Sequence, residues 1–186
     1  KEFVEHYVGG KYSEISEVLK RKEAKKIFTL RNDIWFVDNR YNILKQYFNS
    51  FYPEEIEEFF ETYSSMMNQV QKRYEQPSEE RMTYDLINKD ELSNELRLSS
   101  SETIPMLVSL KNKNKELGKT IDKSAYNTIY SLMKCDDWRK YASLNNYMIY
   151  YAESYPELFV GLLEDNIKEN EEVFEDLFKQ HERFVV

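Results

Sequence analysis

Residues 53–74, PEEIEEFFETYSSMMNQVQKRY, decide the fold class. Pro53 stands where a first helical position belongs, and Glu54 and Glu55 fill the first turn, where carboxylates meet the positive helix end. Ile56, Phe59, Phe60, Tyr63, Met66, Met67, Val70 and Tyr74 then recur every three or four residues, as one broad apolar helical face. Pro77 closes that helix. Upstream, residues 34–48, IWFVDNRYNILKQYF, carry Ile34, Val37, Tyr41, Leu44 and Phe48 at the same spacing, and this predicts a second helix.

Downstream, the polar stretch 76–103 holds Ser78, Asp90 and the Ser99-Ser100-Ser101 run as caps or loops around short helices. Thr103 is placed to cap a helix over 104–117, closed by Gly118 at its C′ position. Asp122 can cap a helix bearing Ala125, Ile129, Leu132 and Met133. Asp136 or Asp137 can cap the next, with Trp138, Tyr141, Leu144, Met148 and Tyr151. Pro156 opens another, with Phe159, Leu162 and Leu163, and Asn170 the last, with Phe174, Leu177 and Phe178. No stretch alternates as a strand pair about a hairpin turn. The expectation is an all-α single domain over 1–186, a helical bundle or short helical-repeat array of about eight helices.

Sliding the chain by 103 positions lays residues 30–61 on 133–164 without a gap. Eight of 32 positions are identical, among them Trp35 with Trp138, Tyr47 with Tyr150, and Tyr52-Pro53-Glu54 with Tyr155-Pro156-Glu157. Net charge follows the same rhythm: +3 over 1–52, −8 over 53–104, +4 over 105–152 and −7 over 153–186. The pattern suggests an internal duplication, with units 1–75 and 104–186 joined by a polar connector, 76–103. Equivalent surroundings for Trp35 and Trp138 would be its structural mark. The period of about 100 residues exceeds that of tetratricopeptide or ankyrin repeats.

The 186 residues carry a formal net charge of −8, with 32% charged and 15% aromatic positions. So many aromatics argue against disorder. The acidic balance disfavours nucleic-acid binding through this segment, and no apolar run is long enough to cross a bilayer. A single cysteine, Cys135, excludes an intrachain disulfide and fits a reducing, cytoplasmic setting. The first residue is Lys1 rather than Met, which reads as a fragment or a processed form, with a preceding DNA-binding or membrane segment left open. The bias towards Lys, Asn, Tyr and Phe codons suggests an AT-rich genome.

Chemistry-bearing patterns are sparse. His6 and His181 lack spaced partners, and no zinc, phosphate-loop or nucleophile-elbow motif occurs. Cys135 follows a helix C-terminus, which holds a thiol protonated. Glu54, Glu55, Glu57, Glu58 and Glu61 could in principle hold a hard cation, but a solvated acidic face is the simpler reading. No catalytic residue, metal or cofactor is therefore assigned. Lys20, Arg21, Lys22, Lys25, Lys26 and Arg31 form the one concentrated basic segment, able to meet phosphates or an acidic partner. Tyrosine is in surplus: Tyr147, Tyr150, Tyr151 and Tyr155 crowd one helix and its corner, and Tyr47 and Tyr52 mirror them. Not all of these fit one buried stripe. The contact candidates are thus Tyr47, Tyr52, Tyr147, Tyr150, Tyr151 and Tyr155, flanked by Lys20, Arg21 and Lys25.

The functional expectation is a non-enzymatic, intracellular protein-interaction module, acting as an inhibitor or immunity-type binder of another protein. The alternative is the peptide-receptor part of a bacterial or phage transcription regulator that lacks its DNA-binding segment. Homo-oligomerisation, by head-to-tail meeting of opposite charges, stays open.

Overall fold

The computed structural model describes residue 5 and residues 9–21, 27–31, 34–87 and 93–182. The chain divides into two compact units, 1–46 and 47–186.

In the first unit, helix α1 (Tyr12–Leu19) begins after Lys11, which offers no capping side chain. Glu5 takes that part, accepting from the Tyr12 backbone N–H at 2.6 Å. A two-stranded antiparallel hairpin follows. Strand β1 (Phe28–Arg31) pairs with β2 (Ile34–Val37), Phe28 opposite Val37 and Arg31 opposite Ile34. The Asp38 N–H closes the open end onto the Ile27 carbonyl at 2.8 Å, and the Thr29 hydroxyl donates to the Asp38 carboxylate. Helix α2 (Arg40–Tyr47) reaches the unit boundary.

The hairpin corrects the helix expected over 34–48. Ile34 and Val37 satisfy a helical step, but Ile-Trp-Phe-Val is also a continuous run of β-branched and aromatic residues, which suits a strand. Asn39 then turns left-handed, at φ 54°, so no helix can run from β2 into α2. The side chain of Trp35 lies outside the described residues, as do Asn32 and Asp33, and the proposed Trp35–Trp138 equivalence with them.

The second unit is helical throughout its described residues. A 3-10 turn, Phe48–Ser50, buries Phe48 completely. Then come α3 (Pro53–Met67), a 3-10 turn at Lys72–Glu75, α4 (Arg81–Ile87), α5 (Asn94–Leu110) and a 3-10 turn at Lys111–Lys113. They are followed by α6 (Lys115–Met133), α7 (Trp138–Leu144), a 3-10 turn at Asn145–Tyr147, α8 (Met148–Ser154), α9 (Pro156–Glu169) and α10 (Glu171–Glu182). The fold is all-α apart from the β1–β2 hairpin, the one sheet among the described residues.

Helix α6 is the axis of this unit, and α3, α5 and α9 pack against it. Leu117, Ile121, Ala125, Thr128, Ile129, Leu132 and Met133 are buried along it at helical spacing. From α3, Ile56, Phe60, Tyr63, Met66 and Met67 face the core, as its sequence period requires. Helix α8 lies on α5, and α10 on α7.

Boundaries follow local chemistry. Pro53 and Pro156 open α3 and α9 directly after Tyr52 and Tyr155, so the two Tyr-Pro corners start helices alike. Their upstream counterparts differ, since 34–37 is a strand whereas Trp138 begins α7. Asp137 caps α7 as expected, accepting from the Arg139 N–H at 2.9 Å.

Other boundaries move. Helix α3 stops at Met67, and Val70 and Tyr74 are outside it. Helix α5 starts at the Ser93 cap, whose hydroxyl accepts from the Leu96 N–H at 3.0 Å, and it runs through Ser99–Ser101, Thr103 and Pro105. Proline inside a helix forfeits one backbone bond, here to the Ser101 carbonyl, but only one. Asn114 rather than Asp122 caps α6, accepting from the Glu116 and Leu117 N–H groups at 3.1 and 3.2 Å. Gly118 sits inside α6 and not at a C′ position. A Cβ there would stand 2.2 Å from the Lys111 carbonyl oxygen, so glycine lets the end of α5 close onto α6.

At the far end of α6, the Met133 carbonyl accepts from Tyr141 Oη at 2.6 Å, Asn166 Nδ2 at 2.8 Å and the Cys135 N–H at 3.1 Å. Two buried side chains from α7 and α9 thus satisfy a helix end that would otherwise be orphaned.

Candidate functional site

The six candidate tyrosines all lie in the unit 47–186, but they separate by burial. Tyr147 and Tyr151 are core residues, 3% and 0% exposed. Tyr150 and Tyr155 are half-buried. Tyr150 Oη donates to Glu102 at 3.2 Å, joining α8 to α5. Tyr47 and Tyr52 are exposed, at 48% and 68%. The segment 147–155 therefore spends its tyrosines on its own fold, and the corner at 47–52 presents its pair outward.

Tyr155 belongs to a charged cluster on α6. Its hydroxyl donates to Asp122 Oδ1 at 2.5 Å, and the same oxygen accepts from Lys111 Nζ at 2.6 Å. The Lys111 ammonium stands 5.4 Å from the Tyr155 ring centroid, and Tyr126 meets that ring edge-to-face at 6.2 Å. Partial burial pushes the Asp122 carboxyl up, but the Lys111 and Tyr155 hydrogen bonds and the Lys111 charge outweigh it and leave the carboxyl below its ordinary value.

Tyr151 heads a buried chain of hydroxyls. Ser101 Oγ donates its single proton to the Arg97 carbonyl at 2.8 Å. Tyr63 Oη lies 2.8 Å from Ser101 Oγ and must therefore be the donor in that bond. Its own proton spent, Tyr63 can only accept from Tyr151 Oη, also 2.8 Å away. The direction runs from α8 through α3 to α5. Burial raises both phenols well above the ordinary tyrosine value, so neither ionises near neutrality.

Arg97, beside this chain, is 3% exposed, and its Nε and Nη1 have no hydrogen-bond partner among the described residues. Arg81 shows the contrasting solution. It too is buried, but its guanidinium lies 5.1 Å from the Trp138 ring and 5.7 Å from the Tyr74 ring, and Nε donates to the Gln76 carbonyl at 3.1 Å. These rings and that carbonyl tie α4 to the start of α7.

The basic candidates lie in the unit 1–46. Lys20 and Arg21 are exposed after α1, and Lys20 pairs with Glu17 at 2.7 Å. Lys20 also lines a shallow polar hollow with Glu5, Lys11, Tyr12, Ser13, Ser16 and Glu17. Lys22, Lys25 and Lys26 lie outside the described residues, and so does the Arg31 side chain.

Titratable chemistry near neutral pH does not assemble among the described residues. His6 and the His181 side chain are outside them. Cys135 is half-buried, and burial raises its thiol pKa, against nucleophilic use. No three His, Cys, Asp or Glu side chains among the described residues come together to hold a metal. No described helix is long and apolar enough to cross a membrane.

What remains for contact is the Tyr47–Tyr52 corner with the acidic helix that it opens. Phe48 is fully buried between the two tyrosines in sequence and anchors the corner. The Tyr52 N–H donates to Glu55 Oε2 at 2.8 Å, which fixes the entry to α3. Glu54, Glu57 and Glu61 are exposed along that helix. Arg97 and its hydroxyl chain were not singled out in the sequence. The available signal was the i, i+4, i+7 run Arg97, Ser101, Ile104, legible only once 94–110 is taken as one helix.

Comparisons with known protein families, with curated proteins and with solved structures return no match for this chain.

Proposed function

We propose that the chain is a non-enzymatic protein-interaction module of inhibitor or immunity type, which binds a basic surface of another protein. The observation that carries this reading is the corner at 47–52. Two exposed tyrosines flank a fully buried anchor, and an exposed acidic helix face follows directly. Tyrosine gives large contact area at low entropic cost, and interface hot spots are enriched in it. Carboxylates around it steer a basic partner and repel acidic ones. Tyr147 and Tyr151 take no part, being core residues, and Tyr150 and Tyr155 contribute at most their half-exposed edges.

Affinity capture from lysate of the source cells tests it, with nuclease present and at two salt concentrations. The expected result is one protein in stoichiometric amount, resistant to nuclease, whose association slows as salt rises and whose complex re-forms from purified components. Recovery of nucleic acid alone, or of a complex indifferent to salt, would contradict the reading.

A further inference from the structure

We infer that the buried guanidinium of Arg97 is a receptor for one small monovalent anion, a halide or a formate-sized carboxylate. Arg97 projects from the second turn of α5 and is 3% exposed. Two of its three guanidinium nitrogens, Nε and Nη1, are buried donors with no acceptor among the described residues. No ion pair to Arg97 occurs among the described residues. A buried cation without an opposing charge is among the costliest arrangements a fold can contain. The same unit shows the remedy at Arg81, where two aromatic rings and a carbonyl meet the guanidinium. Nothing comparable among the described residues meets Arg97.

Its neighbours are neutral and polar. The Arg97 charge acts on Tyr63 and Tyr151, which are 1% and 0% exposed, and Ser101 stands one turn further along α5. The hydroxyl chain ends on the backbone carbonyl of Arg97 itself and leaves the guanidinium uncompensated. One guanidinium calls for one negative charge, which makes the ligand monovalent. Arg97 is 3% exposed, which leaves room only for a small one, and the hydroxyl protons of Tyr63, Ser101 and Tyr151 are committed within their own chain and add no donor.

The test uses the full chain in a buffer of constant ionic strength whose anion is bulky, such as gluconate, titrated with bromide or formate. The expected result is a rise in Tm that grows with the logarithm of anion concentration and reaches about 5 °C, for both small anions. Arg97→Gln, checked for unchanged far-ultraviolet circular dichroism, should lose that response. If Arg97→Gln does not fold, chloride-35 line broadening on the wild type decides: broadening that formate reverses supports the receptor, and its absence overturns it. An equal Tm response in Arg97→Gln would overturn the inference. So would an anion response that the wild type lacks but D90N/E91Q acquires, because the chain's own acids would then fill the site.

Discussion

Gly118 and Asp122 show how much single side chains decide on α6. The Lys111 carbonyl occupies the space that a Cβ at position 118 would need. Gly118→Ala should gain helix propensity and still lose about 1–3 kcal/mol through the forced shift of the α5–α6 connection, read as a lower urea midpoint. A midpoint equal to or above the wild type would mean that this connection yields freely. Asp122 makes a pH prediction. Its carboxyl is held below the ordinary aspartate value when folded, so its contribution is present above the unfolded pKa and fades as pH falls through the folded one. Comparing the wild type with Asp122→Asn between pH 6 and 2, the difference in Tm should shrink towards zero at the acid end. A difference independent of pH would place the effect in packing rather than charge.

At the scale of elements, the second unit follows its caps. Asn114→Ala removes the acceptor for two N–H groups at the start of α6 and should cost about 1 kcal/mol by chemical denaturation. Asn114→Asp should retain that stability, and a cost as large as alanine's would contradict the capping role. Much of this was legible in the sequence. Pro53, Pro156 and Asp137 mark helix starts through fixed φ or a side-chain acceptor, and the Ile56–Met67 period names its own buried face. The failures share a cause: local signals with two solutions. Ile34 and Val37 satisfy a helical step and a strand alike, and only pairing with Phe28–Arg31 settles it. Gly118 resembles a C′ glycine, but it is kept for a tertiary approach that local sequence does not encode. Thr103 and Asp122 resemble caps because Ser, Thr and Asp also serve mid-helix, with bonds to earlier carbonyls or to distant partners. The tyrosine surplus marked 147–155 and its counterpart 47–52 alike. It could not show that Tyr147 and Tyr151 turn inward, since burial there depends on α3 and α5.

For the whole molecule, every fully buried apolar side chain among the described residues lies between Phe48 and Phe174, in the second unit. Residues 47–186 produced alone should therefore melt cooperatively, within a few degrees of the full chain. A broad, non-cooperative transition would show that the fragment's core is insufficient. The account as a whole stands on the claim that the exposed corner at Tyr47 and Tyr52 is the binding surface. It is most directly tested by measuring the affinity of the purified partner for the wild type and for Tyr47→Ala/Tyr52→Ala at matched Tm. A loss of about 30-fold or more, with unchanged stability, is the predicted result, equivalent to one hot spot of about 2 kcal/mol. Equal affinity for both proteins would contradict it.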